Sequence, residues 1–314
     1  MRKSFGIPIS LVVRSIREQE KRQQREEAFE SVNKYEDYIK KITSLHKECC
    51  KILDWSILAR TEKPIKPIYV NVNAKLALKR FKEFKPNFLE KIFPLLEKRK
   101  KKILYNKIYE KRIKDKEIYK KKYLEFESKY KEWKELIEIA NNVIIGNKKV
   151  YKKIIDKFTS FSKIDFLCES LEIKIDDIDY FDVYVKVYDE QIIPKKIYKL
   201  TQTGRLSIKE ISVSKLNELY NEYVCSCIFR IVREIFAVLP IKIVYLHILK
   251  DILNTIIGKL EEKVIISVVF EREKLKDINF DLIYPPDSIK NFISNVNYKM
   301  KYGFKEVEKV KRIN

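Results

Sequence analysis

Tyr119-Lys-Lys-Lys-Tyr123-Leu-Glu-Phe126-Glu-Ser-Lys-Tyr130-Lys-Glu-Trp133-Lys-Glu-Leu-Ile137-Glu-Ile-Ala140-Asn-Asn-Val-Ile144 carries an apolar or aromatic residue at every fourth and then third position. That unbroken rhythm is the a/d seam of a coiled coil. A second stretch keeps the same rhythm over the same length: Ala28, Val32, Tyr35, Ile39, Ile42, His46, Cys49 and Leu53. Glycine is absent between Gly6 and Gly146, and proline is absent from 95–145. The later window therefore has room for a rod of roughly 75 Å at the rise of an α-helix. A similar window spans 9–62. Two equal seams predict an antiparallel helical hairpin, with the large aromatics of one against small residues such as Ala28, Val32 and Cys49 of the other. A parallel homodimeric seam is the competing arrangement. The connection opens with Lys63-Pro-Ile-Lys-Pro67, which reads as a rigid extended linker, and a short helix is expected over 74–84.

Beyond Gly146 the period changes. Residues 171–175 and 181–188 alternate apolar and polar, as half-buried strands do. Residues 195–210 read as a hairpin turning at Thr203-Gly204. Ser214 is placed to cap a helix over 215–239 that ends at Pro240 and is apolar on most sides in its second half. Strands are expected at 241–249 and 264–270, then short helices near Glu273 and Ser288 and a basic tail. The fold class is α+β. A helical coiled-coil hairpin region with a basic arm (1–160) precedes an α+β domain (161–314) built around one central buried helix.

Of the 314 residues 45% are hydrophobic, enough for a true core, and the net charge is +22. That charge favours an anionic partner. Usage rich in Lys, Ile, Tyr and Asn and poor in Gly is also what an AT-rich genome produces, with the lysines on solvated faces. Charge peaks over 98–122, with thirteen Lys or Arg against three acidic residues. Tyr105, Tyr109, Tyr119 and Tyr123 are interleaved and offer stacking faces. Arg99, Lys100, Lys101, Lys102, Lys107, Lys111 and Arg112 are the candidate contacts to a phosphate backbone, without base readout. Arg205, in the polar hairpin tip, is a further candidate, although an exposed polar turn is the ordinary reading of such a stretch.

Other chemistries have thinner support. A metal-dependent nuclease of the PD-(D/E)xK pattern would draw on Asp165, Glu172 and Lys174. Yet Glu-x-Lys recurs at Glu83, Glu127, Glu132 and Glu261, so the match carries little information. His46, Cys49 and Cys50 share a helix face, but no four-ligand metal spacing exists and no metal site is expected. The two histidines, His46 and His247, read as packed residues. No phosphate-binding glycine loop is present, so no nucleotide cofactor, nor any other, is expected. Five cysteines without a secretory signal fit a reduced, cytoplasmic setting. The run 7–13 is too short for a signal core, and 224–243 is broken by charges and Pro240. A soluble protein with no membrane partner is the expectation.

Several short elements carry a resemblance. They are Ser44-Leu-His-Lys-Glu-Cys49 with Asp54-Trp55, and Leu200-Thr201 through Gly204 to Leu206-Ser207. Further on come Glu218-Leu-Tyr220, Tyr223-Val-Cys225, Pro285-Pro-Asp-Ser288, Asn291-Phe292 and Gly303-Phe304. In these the chain resembles a bacterial family of helical-arm-plus-α+β proteins to which no activity is attached, so no catalytic residue carries over. The expectation is a non-enzymatic bacterial nucleic-acid-binding or complex-accessory protein, with phage defence as one setting. A structural or assembly protein, pairing with a protein or a second copy through the coiled coil, and a metal-dependent nuclease are the alternatives.

Overall fold

The structure is a computed structural model that describes the backbone of residues 9–312 and the side chains of 17–312. Ile7 and Pro8 of the N-terminal apolar run, and the side chains of 9–13, lie outside the described residues. The chain is mixed α and β, with a long N-terminal helix and a C-terminal sheet. Helices α1 (Ile9–Thr43), α2 (Trp55–Leu58), α3 (Val72–Lys82), α4 (Phe88–Ile92), α5 (Pro94–Ile144) and α6 (Lys148–Phe158) come first. Strands β1 (Ser170–Lys174), β2 (Tyr180–Lys186), β3 (Lys196–Leu200) and β4 (Leu206–Glu210) lead into helix α7 (Val213–Val238). Then follow β5 (Ile243–Asn254), β6 (Lys259–Glu271), α8 (Arg272–Lys276), α9 (Pro285–Ser288), β7 (Ile293–Val296), β8 (Tyr298–Lys299) and β9 (Gly303–Phe304). Contacts divide the chain into two compact units. One takes Met1–Leu53 with Gly146–Asn314, the other Asp54–Ile145, a division placed differently from the sequence boundary at 160.

The first unit is built on a five-stranded sheet in the order β1-β2-β5-β6-β7. Only β2 and β5 run parallel. A parallel neighbour requires a crossover, and the β3–β4 hairpin followed by α7 supplies it. One sheet face presents Phe181, Val183, Val185, Val244, Leu246 and Ile248, all fully buried. From Tyr223 to Val238 almost every residue of α7 is buried, and Phe229 meets Phe270 edge-on at 5.6 Å. The helix is capped by Ser212 rather than Ser214: the Ser212 hydroxyl accepts from Lys215 N at 3.3 Å. Its far end is closed by Arg272, which donates to the carbonyls of Phe236 (2.8 Å), Leu239 and Ile241 (2.7 Å). The Phe236 carbonyl is one that the helix leaves unpaired, because its partner four residues on would be Pro240, which has no N–H; Leu239 and Ile241 lie beyond the helix.

The first seam does not run to Leu53 as one helix. Helix α1 stops at Thr43, and residues 45–47 form a single 3-10 turn. The cause is tertiary. The His46 N–H donates to Ser226 Oγ at 3.0 Å, and Arg233 donates to the His46 carbonyl, which fastens this segment onto α7. Upstream, Ala28, Val32 and Ile42 are buried, and Tyr35 tilts against Tyr198 of β3 at 5.7 Å.

In the second unit α5 is a rod of 51 residues with α2, α3 and α4 packed along it. The seam aromatics form a ladder: Tyr119, Tyr123, Phe126, Tyr130 and Trp133 follow one another with ring centroids 5.6–6.1 Å apart. What covers the ladder is the proline-rich linker, lying extended along it. Trp133 Nε1 donates to the Thr61 carbonyl at 2.8 Å. Lys63 and Lys66 sit over Tyr130 and Tyr123 at 5.2 and 5.7 Å, and Tyr69 meets Tyr119 edge-on at 5.5 Å. Each seam thus meets covering residues within its own unit, and the coiled-coil hairpin expected from the sequence is not confirmed. Pro64 and Pro67 suit this linker because they hold an extended backbone with few donors to satisfy.

Asp115 ties α3 to the rod. Its carboxylate accepts from Asn73 N (3.2 Å), Asn73 Nδ2 (2.7 Å) and Ala74 N (2.8 Å) at the start of α3. Burial pushes this carboxyl upward, but the three N–H donors outweigh it and hold it below the usual range. The buried acid replaces an N-cap that Asn71, whose side chain makes no capping bond, does not provide. Asp115→Ala is expected to leave α5 helical while α3 frays. Limited proteolysis should then cut within 71–84 several times faster than in the wild type. Equal cutting rates would show that Asp115 does not anchor α3.

Candidate nucleic-acid interface

The basic stretch lies on the first half of α5, and over 98–122 only Leu104, Ile108, Lys111, Asp115 and Tyr119 turn away from solvent. At helical spacing Lys98, Lys102, Lys116 and Lys120 project along one flank of the rod. Lys107, Lys114 and Lys121 project along the other, with Arg99 between the rows. Lysines seven residues apart stand about 10 Å from one another on such a rod.

The structure sorts the sequence-predicted contacts. Arg99, Lys102, Lys107 and Arg112 are exposed and pair with no carboxylate among the described residues. Lys100 is spoken for: its ammonium pairs with the largely buried Glu90, which also accepts from Asn87 N at 2.9 Å and so closes the start of α4. Lys101 pairs with Glu97 at 2.6 Å, one turn away. Lys111 is half-buried and stands among the charges acting on Asp115. The cations left exposed without a carboxylate partner among the described residues are Lys98, Arg99, Lys102, Lys107, Arg112, Lys114, Lys116, Lys120 and Lys121. Lys100 and Lys101 serve the local fold. Tyr105 and Tyr109 are exposed at 64% and 68%, although the Tyr105 ring also meets Phe81 edge-on at 6.1 Å. Tyr119 and Tyr123 are committed to the ladder.

Arg205 belongs to the first unit. Its backbone closes the β3–β4 turn through paired bonds with Thr201, and its side chain is exposed. Gly204 has φ +76°, the left-handed conformation this tight turn demands. A Cβ there would also meet Arg25 Cγ at 3.6 Å, so a second arginine lies beside the tip.

The nuclease candidates are not assembled. Glu172 and Lys174 share a face of the edge strand β1 and pair at 3.7 Å, with the Lys174 ammonium over the Tyr184 ring at 4.7 Å. Asp165 lines a separate hollow with Lys41, Ser44, Leu45 and Glu48. Among the described residues no group of three His, Cys, Asp or Glu is placed to hold a metal ion. His46, Cys49 and Cys50 do not share a helix face, because the helix has ended before them.

Two polar groupings escaped the sequence reading. In the first, Glu234 is fully buried on α7 and accepts from Ser160 N (2.6 Å) and Ser160 Oγ. Arg230, also buried, donates to Ser160 Oγ at 2.7 Å and lies 2.7 Å from Glu234 as an ion pair off the hydrogen-bonding axis. Their i,i+4 spacing inside an apolar helix was the available signal. In the second, His247 Nδ1 and Ser267 Oγ are 2.9 Å apart, with Asp182 3.9 Å from Nε2. The C-terminal segment closes over them: Val310 N donates to Ser267 Oγ (2.8 Å) and Arg312 to Asp182 (2.5 Å). Nothing in the spacing of Asp182, His247 and Ser267 announced this, since three strands bring them together.

Burial, reinforced by Lys47 and Arg233 for His46 and by Lys309 for His247, lowers both imidazoles to about 4 from their ordinary 6.5. Folded, each histidine is harder to protonate than unfolded. Unfolding therefore takes up protons between about pH 6.5 and 4, and this contribution to stability is intact above that window and lost as the pH falls through it. Urea midpoints are expected to drop across the window, and less steeply in His46→Gln/His247→Gln. Equal slopes for the two proteins would show that these histidines are not protonated on unfolding.

Comparison with known protein families, with curated proteins and with solved structures finds no match to this chain.

Proposed function

We propose that this is a non-enzymatic nucleic-acid-binding protein whose rod α5 contacts the phosphate backbone without reading bases. The observation that supports the reading is the pair of exposed lysine rows on α5, whose members lack carboxylate partners among the described residues while Lys100 and Lys101 have theirs. Cations kept free of internal pairing on a rigid rod retain their full attraction for an external polyanion. The exposed rings of Tyr105 and Tyr109 add faces on which unpaired bases stack. Arg25 and Arg205 at the β3–β4 tip give the first unit a smaller basic point of its own. In this reading the first unit is the folded body of a bacterial complex-accessory protein, and phage defence is a setting it suits.

The direct check is the protein as purified. Eluted in low salt, it should carry nucleic acid and show a raised ratio of absorbance at 260 to 280 nm, falling to that of bare protein after a high-salt wash. A bare-protein ratio in both conditions, with no retardation of added DNA or RNA, contradicts the reading.

A further inference from the structure

The tip of the second unit exposes an unusual density of large apolar side chains. Within nine residues Phe88 (77%), Leu89 (62%), Ile92 (53%), Phe93 (55%), Leu95 (82%) and Leu96 (48%) all face solvent. They are held in place, not loosely strung. Asn87 and Glu90 close the start of α4, and Pro94 occupies the first turn of α5, where its missing N–H costs nothing. A fixed apolar patch of this kind marks a contact surface.

The charges around it narrow the partner. The carboxylates of this segment, Glu90 and Glu97, are each neutralised within the chain, by Lys100 and Lys101. Lys85, Lys91, Lys98, Arg99 and Lys102 remain exposed. A second copy of the chain would set one such cationic rim against another. A nucleic-acid strand meets the lysines but gives the aliphatic side chains of Leu89, Ile92, Leu95 and Leu96 nothing apolar to enter. An anionic bilayer meets both demands at once, because the acyl boundary takes Phe, Leu and Ile while lipid phosphates take the flanking lysines. No described helix is long and apolar enough to cross a membrane, so the contact is interfacial.

We infer that the α4–α5 tip is a peripheral membrane anchor that inserts Phe88, Leu89, Ile92, Phe93, Leu95 and Leu96 into bilayers rich in anionic phospholipid. The tip shares Lys98, Arg99 and Lys102 with the lysine rows proposed for nucleic acid, but its apolar side chains belong to neither row, so substitutions at Phe88 and Leu95 separate the two surfaces.

The test is co-sedimentation of the full chain with phosphatidylcholine vesicles, with and without phosphatidylglycerol. The wild type should pellet with the anionic vesicles only. Phe88→Ser/Leu95→Ser should lower that partition roughly tenfold or more while leaving nucleic-acid retardation and the thermal melt unchanged, since both side chains are exposed. Leu95→Trp should show a blue-shifted emission on anionic vesicles. No pelleting of the wild type overturns the inference and leaves the patch to an acidic protein partner. Pelleting that the double substitution does not reduce, or an unshifted Leu95→Trp emission, also overturns it, because the attraction is then charge alone. Vesicle binding without nucleic-acid retardation supports the anchor and removes the reading of α5 as a nucleic-acid arm.

Discussion

Arg230→Met is expected to destabilise the first unit by about 3–5 kcal/mol, the usual result of stripping a buried carboxylate of its cation. Glu234 is fully buried, and without Arg230 it keeps only the N–H and hydroxyl of Ser160. Arg230 also reaches the Leu45 carbonyl at 3.5 Å and Ser160 Oγ at 2.7 Å, so the substitution releases the chain on both sides of α7. Glu48, its second acidic neighbour at 3.4 Å, is 84% exposed in its side chain and gains little from the pair. Urea unfolding followed by circular dichroism measures the effect. Arg230→Met/Glu234→Met should recover much of the loss, because an apolar pair of similar volume removes the stranded charge. If the double variant is as unstable as the single, the loss comes from packing and not from an uncompensated carboxylate.

The second large effect concerns binding. Lys107→Glu/Lys114→Glu/Lys121→Glu reverses one whole row of α5 without touching an internal ion pair. At low salt it should weaken nucleic-acid binding by roughly a hundredfold and make the plot of log affinity against log salt shallower by about 3, one phosphate contact per lysine. Lys100→Glu serves as contrast. That lysine secures Glu90 at the start of α4. Its reversal should disturb the tip and leave the salt slope near that of the wild type. Equal losses from the two variants would mean that only total charge matters and that α5 presents no organised interface.

Long-period features were legible in the sequence, and those created by tertiary contact were not. The glycine-free, proline-free window became α5 almost to the residue, because helix propensity and the absence of breakers act locally. The hairpin at 195–210 was legible for the same reason, with Gly204 in the left-handed conformation its turn demands. The heptads left the partners open. A seam states that a face is apolar but not what covers it, and here the covering element is an extended proline-bearing linker with no period of its own. Propensity also carried α1 too far, since Ser226 and Arg233, some 180 residues away in sequence, set its end. Within the candidate interface, charge density was visible, but the difference between Lys100 and Lys102 was not. It depends on Glu90, ten residues from Lys100, being brought beside it by the turn at Phe93-Pro94.

If α5 binds phosphate backbone through its exposed lysines, the salt dependence of binding by the wild-type chain will show it. Fluorescence anisotropy with a duplex and a single strand of arbitrary sequence, titrated with salt, should give straight log–log plots. The slope expected is about −0.9 per phosphate contacted on the duplex and about −0.7 on the single strand, with little difference between sequences. Binding that is absent at the lowest salt, or that does not change with salt, would contradict the claim.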